Sequence, residues 1–187
     1  MSGWHQTPEG TDREGIFNQV YEEHHRAIHA YLYGRTSDAD AALDLLQDTF
    51  IRVWRNLESL QDVPQERHRF WILTVAKNLV TDHYRRSSAR TGAYEAFAQA
   101  AELSRPSINE QEWTEELLIM DEAIRELPES LRVLLALRVL GGLSSKEIAS
   151  LVGRSAATVR YQISIARKRL REYLSTADAH HQSGGRE

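Results

Sequence analysis

Cysteine is absent from the 187-residue chain, so neither a disulfide nor a thiolate metal site can form. Proline is scarce, with four in all, and Pro64 and Pro128 stand where helices would open. No apolar run approaches the about 20 residues that cross a bilayer. The stretch Met1–Gly15 is polar and has no apolar signal core. A soluble, cytoplasmic protein without an integral membrane segment is therefore expected. Excess positive charge is also lacking: the formal net charge is −4. That argues against a chain that coats nucleic acid indiscriminately, so charge has to be judged segment by segment. No glycine-rich phosphate loop, nucleophile elbow or acid/base pair stands out. The chain reads as a non-enzyme, with no catalytic residue, cofactor or metal expected.

What is present is concentrated between Leu127 and Leu174. Leu-Pro-Glu-Ser opens an apolar helix, Gly141-Gly142 breaks it, and Leu143–Ala149 starts another. Gly153 then suits a tight turn of positive φ, and Ser155 suits the N-cap of a basic helix. Ile148, Val152, Val159 and Ile163 fall on facing stripes at helical spacing, and Ala149 provides the small side chain where two helices cross. This is the layout of a helix-turn-helix. Its last helix carries Arg160, Arg167, Lys168, Arg169 and Arg171, with Arg154 just before it and Glu172 opposing. Such a helix gains affinity for a duplex by releasing phosphate counterions, with its N-terminal residues facing base edges. A solvated charged face is the bland alternative; the offsets of Ala149, Gly153, Ser155 and Val159 favour DNA.

Upstream, the periodicity predicts a helix from about Asp12 to Gly34, with Gly34 as its stop. A second helix, capped near Asp38, reaches about Leu57, with Leu43, Leu46, Phe50, Val53 and Leu57 as its inward stripe. Glu58–Val63 reads as a loop. A third helix runs from Pro64 to about Arg86, with aromatics interleaved with polar residues. Residues 87–112 change character to Ser, Ala, Gly, Gln and Glu and read as a flexible linker, with a short helix near Tyr94–Leu103. The surrounding Ser87–Leu127 is acidic, either a solvated spacer or a mimic of nucleic acid in a partner's basic channel. Trp113–Leu127 is amphipathic, and residues 175–187 read as a disordered tail. The expected fold class is all-α: a helical domain over 12–86, the linker, and a helix-turn-helix domain over 113–174.

Two separate stretches carry a resemblance. Asp44-Leu45-Leu46-Gln47-Asp48-Thr49-Phe50 with Trp54 resembles the polymerase-binding helix of bacterial sigma factors, and Phe70–Arg86 resembles the promoter-melting helix that follows it. Leu127-Pro128-Glu129, Gly142-Leu143-Ser144, Glu147-Ile148-Ala149 and Thr158-Val159-Arg160 resemble the C-terminal sigma domain. With two domains and a short linker, the chain is similar to the extracytoplasmic-function group of the sigma-70 family. The resemblance implies a factor that binds core RNA polymerase and directs it to promoters. Asp44, Leu45, Gln47, Asp48 and Phe50 would dock on the β′ clamp helices, although Phe50 fits the core equally and Trp54 fits it better. Arg69, Trp71, Lys77, Asn78, Arg85 and Arg86 would serve the minus-ten element. There a flipped base needs a pocket, a stacking surface and an edge reader; an aromatic at the Trp71 spacing also suits a core. Thr158, Arg160, Tyr161 and Ser164 would read the minus-thirty-five element, while Arg154, Arg167 and Lys168 hold phosphates. The family also implies contact with the β flap and an anti-sigma factor.

The chain departs from the family in Ala41-Ala42-Leu43, where relatives often have an acidic residue, and in Ala157–Gln162, where many show Gly-Thr-Val-Lys-Ser-Arg. Tyr161 and Gln162 thus leave the promoter sequence open. Two other readings compete. A regulator with the same helix-turn-helix would bind operators without polymerase, as a dimer on half-sites about one turn apart. A metal protein would use His25 and His29, four apart and near His24, but no third ligand completes a recognisable pattern.

Overall fold

The computed structural model describes residues 9–94 and 115–183. These form α1 (Glu9–Thr36), α2 (Ala39–Arg55), α3 (Leu57–Gln61), α4 (Gln65–Tyr94), α5 (Glu115–Arg125), α6 (Glu129–Val139), α7 (Ser145–Val152) and α8 (Ala156–Ser183), with no strand among the described residues. The fold is all-α, as the periodicity predicts. The short helix expected near Tyr94–Leu103 lies almost entirely outside the described residues, as does most of the linker.

Local chemistry sets the helix ends. Asp38 caps α2 by accepting from the Ala41 amide at 3.0 Å. The α7 N-terminus carries a capping box: Ser144 Oγ accepts from the Glu147 amide, and Glu147 Oε2 accepts from the Ser144 amide at 2.8 Å. Gly153 ends α7 at φ 65°, in the left-handed region that glycine enters without a Cβ penalty. Ser155 Oγ then accepts from the Thr158 amide at 3.0 Å and starts α8.

Several ends differ from expectation. Gly34 does not stop α1, which continues to Thr36 and turns at Ser37 with φ 55°. The segment expected as a loop contains α3, which buries Leu57 and Leu60. Helix α4 runs past Arg86 to Tyr94, and α8 runs past Leu174 to Ser183. Neither extension meets a proline or an interior run of glycine, so nothing in the backbone breaks it.

There are two cores. The first joins Val20, Ile28 and Leu32 of α1 to Ala42, Leu45, Leu46, Phe50 and Val53 of α2, Leu57 and Leu60 of α3, and Ile72, Ala76, Leu79 and Val80 of α4. The second joins α6, α7 and α8 through residues such as Leu134, Leu137, Ile148, Val159, Ile163 and Ala166. Ala27 and Ala30 of α1 belong to this second core. Helix α1 therefore supplies one stripe to each domain.

The α1–α6 approach is close because the residue between them is glycine. A Cβ built on Gly34 would stand 2.6 Å from the Val133 Cα. Tyr33 Oη donates to Asp121 Oδ1 at 3.0 Å, and its pKa is pushed up to about 12, by burial first and then by the adjacent Asp121 carboxylate. The sequence predicted two domains but not this contact, since two alanines and a glycine at helical spacing carry no hydrophobic signal.

Candidate nucleic-acid and polymerase interfaces

Burying Val159, Ile163 and Ala166 turns the opposite side of α8 to solvent. Thr158, Arg160, Tyr161, Ser164, Arg167 and Lys168 are all exposed there, Tyr161 at 68%. The Thr158 and Ser155 hydroxyls lie 2.8 Å apart, and Ser164 Oγ donates to the Tyr161 carbonyl at 2.7 Å. Arg154, also exposed, donates to Gln162 Oε1 at 2.6 Å, so the neutral residue in the family's basic position steadies this guanidinium. Lys168 pairs with Glu172 at 3.6 Å.

One contributor was not anticipated. Arg138, at the end of α6, lines a cleft of about 320 Å³ with Arg160, Arg167, Arg171, Ser145 and Ser164. The cleft adjoins the exposed face of α8, and no carboxylate lines it. Four guanidiniums around one opening attract a phosphodiester backbone. The Arg138 side chain is held by donation to the Leu143 carbonyl at 2.9 Å. Its sequence signal was a single basic residue in the last turn before Gly141-Gly142, which points nowhere without the fold.

On α4, Lys77, Asn78, Arg85 and Arg86 are exposed as expected. Arg85 lies 3.9 Å from Asp82, and Arg86 Nε donates to the Asp82 carbonyl at 3.3 Å. Trp71 is half-buried and packs on the first core, the alternative stated for it. Its neighbour Phe70 is 41% exposed and shares a helical face with Lys77 and Asn78 at steps of seven and eight.

Arg69, expected at the minus-ten element, is paired with a carboxylate. Its Nη1 lies 3.1 Å from Glu147 Oε1, across the seam between the two domains. The Glu147 carboxyl is held below the usual carboxylate range, by its bonds to Ser144 first and then by Arg69. Beneath this pair His24 is 2% exposed, and neither of its ring nitrogens has a hydrogen-bond partner. A cleft of about 300 Å³ opens here, lined by His24, Arg69 and Phe70 on one side and by Glu147, Ser150 and Leu151 of α7 on the other. His25 Nδ1 is engaged with the Tyr21 carbonyl at 2.9 Å. Among the described residues, no three His, Asp or Glu side chains are placed to hold a metal ion.

Helix α2 exposes a different set of side chains from the one expected. Asp44, Gln47 and Asp48 are exposed, but Leu45 and Phe50 are each 4% exposed and belong to the first core. Leu43, expected inside, is 48% exposed, and Ile51 is 47% exposed. The inward stripe is Ala42, Leu45, Leu46, Thr49, Phe50 and Val53. Thr49 can be buried because its hydroxyl donates to the Leu45 carbonyl at 2.6 Å. The outward face is thus Leu43, Gln47 and Ile51 beside Asp44 and Asp48, two aliphatic side chains among carboxylates.

No helix among the described residues is long and apolar enough to cross a membrane. Two family descriptions match the chain: sigma-70 region 2 over residues 20–90 and sigma-70 region 4 over residues 117–170. The ferric citrate uptake sigma factor FecI of Escherichia coli is 30% identical over 80% of this chain and 86% of its own length. The ECF RNA polymerase sigma factor SigL of Mycobacterium tuberculosis is 26% identical over 83% of this chain and 87% of its own. The solved sigma factor RpoE of Bartonella quintana, in complex with the anti-sigma factor NepR, shares the fold: TM-score 0.59 and 23% identity over 88% of this chain and 98% of that one. The chain belongs to the sigma-70 family, among the extracytoplasmic-function factors that bind core RNA polymerase and direct it to promoters for initiation.

Proposed function

We propose a division of that activity among named surfaces. Leu43, Asp44, Gln47, Asp48 and Ile51 of α2 dock on the β′ clamp helices, where exposed aliphatics and carboxylates suit a basic, partly apolar helix. Phe70, Lys77, Asn78, Arg85 and Arg86 of α4 serve the minus-ten element: Phe70 stacks an unstacked base, Asn78 offers an edge donor and acceptor, and the cations hold phosphates. Thr158, Arg160, Tyr161 and Ser164 read the minus-thirty-five element in the major groove, with Arg138, Arg154 and Arg167 on phosphates.

Residues 12–86 and 113–174 form the working domains, joined through 87–112. The helix-turn-helix domain also meets the β flap. An anti-sigma factor masks these surfaces, and the protein acts in the cytoplasm. The chemistry of RNA synthesis stays with the polymerase, and this chain supplies no catalytic group.

The observation that carries the reading is the exposed α8 face set against the cleft of four arginines. Footprinting and run-off transcription, with and without core enzyme, test it. The expected result is weak protection by the chain alone and protection of both elements with core. Equal protection in both conditions would count against it.

A further inference from the structure

Helix α8 begins with an arginine already tied along its side. Gly153 at φ 65° turns the chain, and the Arg154 amide donates to the Ala149 carbonyl at 3.0 Å. The backbone of Arg154 is thus fixed before its side chain is placed. That side chain reaches along α8 to a residue eight positions on, where Nη1 donates to Gln162 Oε1 at 2.6 Å. A neutral amide holds the guanidinium without cancelling its charge, unlike Glu172, whose carboxylate pairs with Lys168 at 3.6 Å.

Position on the helix decides what this charge can meet. Successive helical residues turn by about 100°. Gln162 therefore stands about 200° round α8 from Arg160 and about 140° from Arg167. Arg160 and Arg167 line the four-arginine cleft on one flank. Gln162, and Arg154 with it, lies on the other. Tyr161 and Lys168 form the exposed ridge between the flanks, while Val159, Ile163 and Ala166 hold the remaining side in the core.

A major groove is about 12 Å wide and is walled by two phosphate strands. A helix with its side chains is about 10–12 Å across, so a helix seated in the groove brings each flank against a strand. The cleft arginines serve one wall. On the other flank Thr158, Gln162 and Ile165 carry no charge, and Arg169 follows about two turns after Gln162. Arg154 is the cation that the leading half of α8 has for that wall.

We propose that Gln162 is a positioning residue. It holds Arg154 on the flank opposite the arginine cleft, so that α8 is clamped between both phosphate strands of the minus-thirty-five groove. Many relatives place arginine at position 162 itself; this chain brings the charge in from the turn and keeps at 162 the acceptor that orients it. Ordering a long side chain on the duplex costs about two- to tenfold in affinity, and a side chain held in advance avoids that loss. Phosphate contacts on both walls also fix the register from which bases are read. The proposal rests on the assignment of α8 to the minus-thirty-five element made above.

Holoenzyme assembled from the full chain and core polymerase, titrated onto a promoter duplex at several salt concentrations, tests it. Gln162→Met keeps the bulk of the side chain and removes the acceptor. It should weaken binding about two- to tenfold, equally for every single-base variant of the minus-thirty-five element, with the melting temperature unchanged. Gln162→Glu sets a carboxylate on Arg154; it should bind no better than Gln162→Met, with a salt slope reduced by about 1. Because Gln162 acts through Arg154, Arg154→Ala with Gln162→Met should bind as Arg154→Ala does alone, and additive losses overturn the positioning role. A changed preference at one base pair in Gln162→Met overturns it too, since the side chain would then be reading a base. Arg154→Ala with Gln162→Arg supplies the charge from the helix and should recover the parent affinity and salt slope. A double variant as weak as Arg154→Ala shows that no phosphate faces this flank and overturns the clamp. Arg160→Ala separates the clamp from the reading beneath it. If Arg160→Ala relaxes base preference while the Gln162 variants bind like the parent, the clamp alone falls. If none of these variants alters promoter binding, the assignment of α8 falls and takes the clamp with it.

Discussion

Glu147 Oε1 receives Arg69 Nη1 at 3.1 Å while Glu147 Oε2 receives the Ser144 amide at 2.8 Å. One carboxylate therefore closes the first turn of α7 and bridges the two domains. Glu147→Ala removes half of a capping box and a surface ion pair, and should lower stability by about 1 kcal/mol in urea unfolding. It should also free Arg69, so binding to single-stranded minus-ten DNA should rise. A variant as stable as the parent and no better at binding that strand would show that the carboxylate does neither.

The acid limb follows from the same group and from His24. Glu147 has a depressed pKa in the folded chain, so its contribution is complete above the ordinary glutamate value and fades as pH falls through the folded value. The His24 pKa is also lowered: burial dominates, Glu23 opposes it, and Arg69 and His68 add to it. Burial favours the neutral imidazole in the folded state, so that contribution is complete above the ordinary histidine value of 6.5 and is lost as pH falls below it. Melting temperature should drop between neutral pH and about pH 5.5, and His24→Leu should flatten that part of the profile. An equally steep profile in the variant would place the titration elsewhere.

On α2, neighbouring leucines should give opposite phenotypes. Leu43→Glu alters an exposed position and should weaken binding to core polymerase with the melting temperature unchanged. Leu45→Ala hollows the first core and should cost about 2–5 kcal/mol, with a core-binding defect only in proportion to the unfolded fraction. Calorimetry beside a core-binding titration separates the two, and a stable Leu45→Ala chain with lost binding would reverse the assignment.

The arginines around the α8 cleft should divide by role. Arg138→Gln should weaken binding to all minus-thirty-five sequences alike and reduce the salt slope by about 1. Arg160→Ala should relax preference at one base pair, a discrimination of about 1–3 kcal/mol. Binding isotherms at several salt concentrations on a panel of single-base variants distinguish these outcomes.

The helix-turn-helix was legible because its signals are local: Gly153 at a left-handed turn and Ser155 at an N-cap each act within a few residues. Its Ser144–Glu147 capping box was equally local and could have been read from the sequence. The inward stripe of α2 was legible at Leu46, Phe50 and Val53 but not at Leu43, which faces out while Ala42, Leu45 and Thr49 face in. Thr49 looks polar on paper, but its hydroxyl finds a carbonyl one turn back, so it sits inside beside Leu45. Phe70 and Trp71 could not be ranked from sequence, because adjacent residues on a helix diverge by about 100° and either could face the core. Arg138 and Gly34 depended on elements far away in the chain, and distance along the sequence hides such partners.

Because α1 lends a stripe to each core, dissection should not yield two well-behaved halves. A fragment of residues 115–183 leaves Val133 and its neighbours facing water, and one of residues 9–94 bares Ala27 and Ala30. Each piece would seek cover from its own copies. Measurements made on severed domains would thus report aggregates or swapped partners as much as the properties of the parent molecule.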